Sequence, residues 1–554
     1  MFKRVLIANR GEIALRIQRA CRELEIEPVV VYSAADAESI HVQLAEEAYC
    51  IGPARAADSY LNMDAILTVA KAAHCDAIHP GYGFLSENDQ FADACAEAGI
   101  AFIGPSGDVI RAMGNKAAAR RLMQQAGVPV VPGSDGAVAT AEEAKALADS
   151  IGYPVLIKAS AGGGGRGMRR VFEPDQLIPL FEEARSESVA CFGSGEMYLE
   201  KLILNPKHIE FQIMADKMGH VIQLGERDCS IQRRNQKMLE ESPSRALTPE
   251  LREKMGAAAV AAAKAAHYEN AGTIEFVLDP DGNFYFIEMN TRIQVEHPVT
   301  EFVTGMDLVR EQIRIAAGLP LSHTQEEITL RGHAIECRVN AEDPAHNFQP
   351  CPGKINFLHL PGGCGVRVDT GLYSGYTLPP YYDSLMAKLV VWAPTRLEAI
   401  RRMRRVLEEL AIDGPANNAD LLHQILYHPT LSGAPAPPPS WTRTWTPCSN
   451  GAAPGTRRLR HEQRICPPAA QAAEPEGPAG FGRGAARQHR GELPPLRAAR
   501  PAAGAGQKPV RLPPVRLSPP HRRLLPPEPG AGRGQLQGDG RGPDLQRPAG
   551  VPRL

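Results

Sequence analysis

The 554-residue chain lacks most features that place a protein in a membrane, a secreted scaffold or a zinc site. No run approaches the ~20 consecutive apolar residues that a spanning helix needs. Met1-Phe2-Lys3-Arg4 leads into a short apolar run, Val5 to Ala8, too brief for a secretory signal core. The 11 cysteines include no Cys-x-x-Cys pair and no cluster with histidine, which speaks against a zinc site or a disulfide framework. The cytoplasm is the expected location, with no membrane and no nucleic-acid partner. Neither sign of charge dominates, since 61 Lys and Arg face 63 Asp and Glu for a net charge of -2. No internal repeat and no Walker A loop occurs, and no Gly-x-Gly-x-x-Gly fingerprint follows the first apolar run.

What is present divides sharply. Residues 434–554 contain 24 Pro and 16 Gly, and 18 Arg with 1 Lys against 7 acidic residues, a net charge of +12. That composition belongs to low-complexity or disordered chain. Residues 1–433 carry -14 and read as an ordinary globular protein. At roughly 100–200 residues per domain the whole length predicts three or four domains.

Residues 1–113 alternate apolar runs (Val5–Ala8, Val29–Tyr32, Ala77–His79, Ala101–Ile103) with helices over about Ile13–Leu24 and Phe91–Ala98. This alternation predicts a parallel, Rossmann-like sheet. Asn9-Arg10-Gly11-Glu12 falls where the first strand turns into a helix, so it is either a structural turn or an anion contact. Residues 114–330 form a second part, with helices Lys116–Ala126 and Ala141–Ile151. Its strands are expected at Pro154–Lys158, Met168–Phe172, Met197–Leu202, His208–Met214 and Val221–Leu224. Residues 331–433 form a smaller mixed part with strands Ala334–Val339, Lys354–Leu358 and Leu385–Val391 and a basic helix Arg396–Leu410.

The segment Thr273–Asn290 carries the clearest chemistry. Asp281-Gly282 between two β-rich runs signals a hairpin. A two-residue turn there sets Glu275 opposite Glu288, with Asn290 on the same face and Phe284 and Phe286 flanking. Two facing carboxylates repel unless something positive lies between them. A hard cation held by two carboxylates and an amide oxygen resolves the conflict, and oxygen-only ligation suits Mg²⁺ or Mn²⁺ beside phosphates. The competing reading is a solvated outer face.

Lys158 closes an apolar strand shortly before Gly162–Gly167, where glycine lets backbone N–H groups approach phosphate oxygens. Alone, that run also reads as a flexible loop, and Lys116 as a solvated helix lysine.

Taken together these segments resemble the ATP-grasp enzymes, and within them the biotin carboxylase family. The resemblance covers residues 1 to about 433. It rests on Ala8–Ile13, His79–Asn88, Lys158–Met168, Glu226–Arg234 and above all Phe286–Glu301. It implies ATP-driven carboxylation of biotin by bicarbonate, and a fold with a Rossmann-like first domain. An ATP-grasp domain with a mobile glycine-rich lid at about 131–203 follows, then a small mixed domain and the disordered tail. It assigns Lys116, Lys158, Gly164, Gly165, Glu200, Lys201, Leu202, Ile203, His208, Gln232, Asn235, Glu275 and Glu288 to ATP. Glu275, Glu288 and Asn290 would hold Mg²⁺ or Mn²⁺, two ions being expected. Lys237, Arg292, Gln294, Val295 and Glu296 would surround bicarbonate, with Glu296 as its base, and Arg338 would contact biotin. Without the family, His208 and Gln232 are plain strand polar groups and Arg338 a structural ion pair. Arg292, Gln294 and Glu296 share a face only if their segment is a strand.

The implied chemistry suits these residue types. Bicarbonate is a poor electrophile, so ATP first converts it to carboxyphosphate, a transfer that needs positioning and charge neutralisation. A closing lid keeps water from that labile intermediate. Asn235 departs from the family, which usually has histidine there; Cys364 and Ala416 are also unusual. A changed nucleotide affinity, or an inactive nucleotide-binding subunit, is the reading from another class.

No Met-Lys-Met-like attachment motif occurs, so biotin is expected on a separate carrier protein, with carboxyltransferase subunits and a homodimer as further partners. Leu358–Val368 and Tyr373–Asp383 look most like the stand-alone subunit of bacterial acetyl-CoA carboxylase, which supplies malonyl-CoA for fatty acid synthesis. Composite propionyl- or methylcrotonyl-type carboxylases begin with the same domain. The Arg- and Pro-rich tail reads like a GC-rich gene translated in a shifted frame; a basic interaction arm is the rival. Resequencing the gene is expected to reveal a one-base shift that restores an amphipathic last helix. An intact frame favours the basic arm.

Overall fold

The first strand, Arg4–Ile7, sends its side chains into two different cores. Val5 and Ile7 join Ile13, Ile17 and Val30 on one side, while Leu6 joins Val29, Val31 and Ile78 on the other. A strand apolar on both faces belongs in a parallel sheet covered by helices. Such a sheet forms from Arg4–Ile7, Glu27–Ser33, Glu47–Gly52, Ala77–His79 and Ala101–Phe102, with the first strand central. The computed structural model describes residues 1–159, 167–192 and 194–432. The expectations for Gly164, Gly165 and residues 434–554 fall outside these.

Residues 131–203 build a three-stranded antiparallel sheet, Met168–Val171, Val155–Ala159 and Met197–Lys201, with Val155–Ala159 in the middle. Helices Ala141–Ile151 and Leu177–Phe192 cover it over a core of Val155, Ile157, Val171, Phe181 and Leu199.

The largest sheet has eight antiparallel strands. In spatial order they are Phe284–Asn290, Asn270–Leu278, Lys207–Ala215, Val221–Arg233, Gln236–Ser242, His333–Asn340, Leu385–Ala393 and Val366–Thr370. It runs without a break across residue 330, because Leu239 pairs with Cys337 and Glu240 with Glu336. Helix Pro249–Ala265 packs on the strands around Lys207–Ala215, and helix Arg396–Glu409 on Leu385–Ala393.

Two expected strands differ from what forms. Val221–Leu224 is the start of a 13-residue strand. Its continuation, Glu226-Arg227-Asp228, lies beyond the expected strand end, and these polar side chains are buried and paired inside the protein. Lys354–Leu358 is two short strands, Gly353–Lys354 and Phe357–His359, pairing with different partners around buried Ile355. Among the described residues no helix is long and apolar enough to cross a membrane.

The first sheet also buries histidines that it keeps neutral. His41 has no exposed surface, and neither ring nitrogen has a hydrogen-bond partner among the described residues. Burial pushes it down to about 4, with Asp36 opposing and Arg10 assisting. Unfolded histidine binds a proton near 6.5, so the unfolded chain takes up protons first and stability falls with pH from about 6.5 toward 4. Between pH 7 and pH 5 this one group is expected to withdraw about 2 kcal/mol. Chemical denaturation of His41→Leu at both pH values is expected to show a correspondingly shallower dependence than the parent.

Candidate active site

Across the largest sheet the ladder sets four charged residues in one row. Arg227 stands opposite Glu210, Glu210 opposite Glu275, and Glu275 opposite Glu288. The expected pairing of Glu275 with Glu288 is present, but through a different turn. The Asp279 N–H donates to the Asn283 carbonyl at 2.8 Å, which makes the loop one residue longer than Asp281-Gly282. Pairing near the turn is therefore Leu278 with Phe284 and Phe276 with Phe286, and a bulge at Ile287 restores the register at Glu288. The extra residue also reverses the faces. Phe284 and Phe286 lie in the apolar core with Phe276 and Phe211, not beside Glu275 as the simple turn predicts.

Lys237, on the strand next to that of Arg227, reaches into this row. Its Nζ lies 2.5 Å from Glu210 Oε2, 2.9 Å from Glu275 Oε1 and 2.7 Å from Glu296 Oε1. Burial works against its charge, but Glu210 and Glu296 outweigh burial and hold the ammonium well above its ordinary range. Burial likewise opposes ionisation of Glu296, yet Lys237, helped by Arg338, draws it down to about 2 against the repulsion of Glu210. Arg338 Nη2 donates to the other oxygen of Glu296 at 2.8 Å. Arg227 is completely buried and donates to Glu210, Gln212, Thr273, Gln294 and Thr300.

The segment after the hairpin, 291–296, is not a strand, so a common face for Arg292, Gln294 and Glu296 does not apply. Individual contacts place them instead. Arg292 donates to Glu87 Oε2 (3.0 Å) and Asn290 Oδ1 (3.1 Å). Gln294 accepts from Arg227 (2.6 Å) and donates to Glu275 (2.9 Å). The Val295 carbonyl accepts from the buried Lys388 Nζ at 3.0 Å. Glu296 precedes helix His297–Thr304 at its N-terminal end, where the helix dipole favours a negative charge, and its side chain makes no capping hydrogen bond among the described residues.

The metal trio is only partly satisfied by protein groups. Asn290 Nδ2 donates to Glu275 at 2.9 Å. Among the described residues Glu288 pairs only with Lys116, 4.0 Å away, and burial together with Glu275 raises its carboxyl above the usual range. A carboxylate repelled by its neighbour and open on one side fits a divalent cation. The tighter grouping His208, Glu210 and Glu275 does not need one, because Lys237 and Arg227 already balance its carboxylates. His208 Nε2 lies 3.2 Å from Glu275; burial opposes its protonation, but Glu210 and Glu275 lift it to about 9.

The remaining expected nucleotide residues stand apart from this cluster. Lys158 and Glu200 form an ion pair on the three-stranded sheet. Lys201 Nζ donates to the Gly152 and Tyr153 carbonyls, and the Leu202 N–H to the Pro154 carbonyl, so these groups brace their own sheet, with Ile203 just beyond. Lys116 opens helix Lys116–Gln125 and is largely exposed. Gln232 donates to the Cys229 carbonyl at 2.7 Å. Asn235, with φ of 66°, sits after Arg234 at the tip of the hairpin joining Val221–Arg233 to Gln236–Ser242. Asparagine tolerates that left-handed backbone well.

A cavity of about 490 Å³ opens between the first sheet and this cluster, lined by Tyr82, Gly83, Arg292, Val295 and Arg338 among others. Asn9 and Arg10 line it too, and both also make structural contacts: Asn9 to the Pro80 and Tyr82 carbonyls, Arg10 to Asp36. Sequence reasoning missed Glu210, Arg227, Tyr82 and Lys388. Glu210 was open to discovery, since His208-Ile-Glu210 puts it on the same strand face as His208.

Three family models cover the described chain: biotin carboxylase N-terminal domain (1–110), carbamoyl-phosphate synthase L chain ATP-binding domain (115–324) and biotin carboxylase C-terminal domain (336–436). A biotin carboxylase from Nostoc sp. is 59% identical over 428 residues, 77% of this chain and 96% of that protein. A pyruvate carboxylase subunit from Methanothermobacter thermautotrophicus is 57% identical over 414 residues, 75% of this chain and 84% of that one. The biotin carboxylase domain dimer of 2-oxoglutarate carboxylase from Hydrogenobacter thermophilus was solved with MgADP, ADP and bicarbonate. It superposes with a TM-score of 0.73 at 54% identity, covering 78% of this chain and 96% of that one. The expected combination of a Rossmann-like sheet, an ATP-grasp centre and a mixed C-terminal part agrees with this neighbour. By sequence along nearly the whole length of these relatives and by fold, the chain belongs to the biotin carboxylase family of ATP-dependent ligases.

Proposed function

We propose that this chain carboxylates biotin on a separate carrier protein, as the first half-reaction of an acetyl-CoA carboxylase that supplies malonyl-CoA. The observation that carries the reading is Glu296, held ionised between Lys237 and Arg338 beside the cavity. An ionised, buried carboxylate is placed to accept the bicarbonate proton, while Lys237 and Arg292 hold the anion. The bicarbonate O–H bond breaks as the Glu296 O–H forms. The freed oxygen attacks the γ-phosphorus of ATP, ADP leaves, and carboxyphosphate releases CO₂ beside biotin. Phosphate takes the ureido proton, Arg338 faces the developing enolate oxygen, and the ureido nitrogen bonds to the CO₂ carbon to give carboxybiotin and free phosphate. Glu275, Glu288 and Asn290 would hold Mg²⁺ or Mn²⁺, two ions in all, which supply charge neutralisation for the transferred phosphoryl group. Lys116, Lys158, Glu200 and His208 are assigned to the nucleotide, and Gln294 and Val295 to bicarbonate.

The same proposal includes carboxyltransferase subunits, a homodimer, and three functional parts at 1–113, 114–330 and 331–433. A cytoplasmic setting is supported by eight free cysteines among the described residues. A second reading, a pyruvate-type carboxylase subunit, is favoured by the Methanothermobacter relative.

The direct test is ADP release from the purified chain with Mg-ATP and bicarbonate, with and without free biotin. Stimulation by biotin is expected; a folded protein that binds ATP without bicarbonate-dependent turnover contradicts the reading. Acceptor preference between acetyl-CoA and pyruvate, measured in the reconstituted complex, separates the two carboxylase types. Glu296→Gln is expected to lower biotin-dependent kcat about 100-fold or more with MgADP affinity within about threefold of the parent. Glu288→Gln is expected to weaken Mn²⁺ binding about 10-fold or more, read by electron paramagnetic resonance in the presence of ADP, without lowering the melting temperature.

A further inference from the structure

Arg338 stands between two carboxylates, and the reaction proposed above uses only one of them. Glu240, Glu336, Arg338 and Lys388 project from one face of three adjacent strands, Glu240 opposite Glu336 and Arg338 opposite Lys388. Glu240 and Glu336 are completely buried, and among the described residues no oxygen of either accepts a hydrogen bond. Glu240 Oε1 nevertheless lies 2.6 Å from Arg338 Nε. On its other side Arg338 reaches Glu296 at 2.8 Å and lines the cavity, from which Glu240 is absent.

We propose that Glu240 is a positioning residue for biotin carboxylation, the fixed counter-ion that keeps the Arg338 guanidinium in place when Glu296 has taken a proton. The inference rests on the biotin carboxylase reading and on Glu296 as its base. When the bicarbonate proton moves to Glu296, that carboxyl becomes neutral and Arg338 loses the anion on its cavity side. A guanidinium this deeply buried is strongly disfavoured without a partner. Glu240 is the carboxylate still in contact with it, and it leaves Nη2 free to turn to the biotin oxygen. Two facing buried carboxyls are disfavoured as a doubly charged pair. Glu336 makes no ion pair among the described residues, so it is the member that keeps a proton. Burial raises both, Glu336 well above the carboxylate range and Glu240 less far, because Arg338 opposes the rise.

The two acids therefore predict opposite outcomes for the same isosteric change. In biotin-dependent ADP release, Glu240→Gln is expected to lower kcat/KM for free biotin about 30-fold or more, with the KM for ATP within about twofold of the parent. Glu336→Gln, already neutral in this account, is expected to stay within about threefold. Glu240→Asp, which keeps the charge, is expected to recover at least about fivefold over Glu240→Gln. Equal losses in the two glutamine variants, a parent-like Glu240→Gln, or parallel losses toward ATP and biotin each overturn the proposal. If Glu240→Gln does not fold, Glu240→Asp carries the test: a loss confined to biotin supports the role, and one shared with ATP contradicts it. A parent protein with no biotin stimulation at all removes the underlying reading, and this inference with it.

Discussion

The site depends on one ammonium group. Three adjacent strands place Glu210, Glu275 and Glu288 in a row, and the next segment brings Glu296 against them. Carboxylates this close and this buried repel one another and resist ionisation. Lys237 touches three of the four, and Arg227 closes the end of the row from beneath. Removing either cation leaves buried anions unbalanced, which is more damaging than never having built the cluster. Glu288, which Lys237 does not reach, is the one carboxylate of the row left raised rather than lowered.

This arrangement ties together regions that lie far apart in sequence. Arg338 belongs to a strand beyond residue 330, yet it shares Glu296 with Lys237, because the sheet continues through Glu240 and Glu336. Lys388, from the same sheet, bonds the Val295 carbonyl and pairs with Glu12 of the first helix, whose carboxylate also accepts from Tyr82. Arg16 of that helix pairs with Glu301 and Asp307. The cavity walls are therefore fixed to the charged cluster by buried ion pairs.

Much of this was legible in the sequence. Apolar runs with helical spacers fixed the parallel sheet, and the Asp-Gly turn with its flanking β-rich runs brought Glu275 to Glu288. That pairing was reached with a two-residue turn, whereas the protein uses a longer loop and a bulge at Ile287 whose offsets cancel at Glu288. They do not cancel at Phe284 and Phe286, where face assignment failed. A bulge inserts one residue without a compositional signal, so alternation alone cannot detect it. Glu226-Arg227-Asp228 was illegible for the opposite reason: polarity suggests exposure, and only the partners on other strands make burial affordable. Lys388 was hidden as a charge within an apolar strand, and Glu240 within a mostly polar one, each with its counter-ion on another segment.

Lys237 and Arg338 hold Glu296 ionised, and its protonation state can be read directly. The most direct measurement is isotope-edited infrared spectroscopy of protein with ¹³C-labelled glutamate, with Glu296→Gln subtracted, followed from pH 8 downward. A Glu296 carboxylate band that persists to below pH 4 agrees with the pull of its two cations. A protonated carboxyl band at pH 7 contradicts the account, because a neutral Glu296 can neither balance Arg338 nor take a proton from bicarbonate.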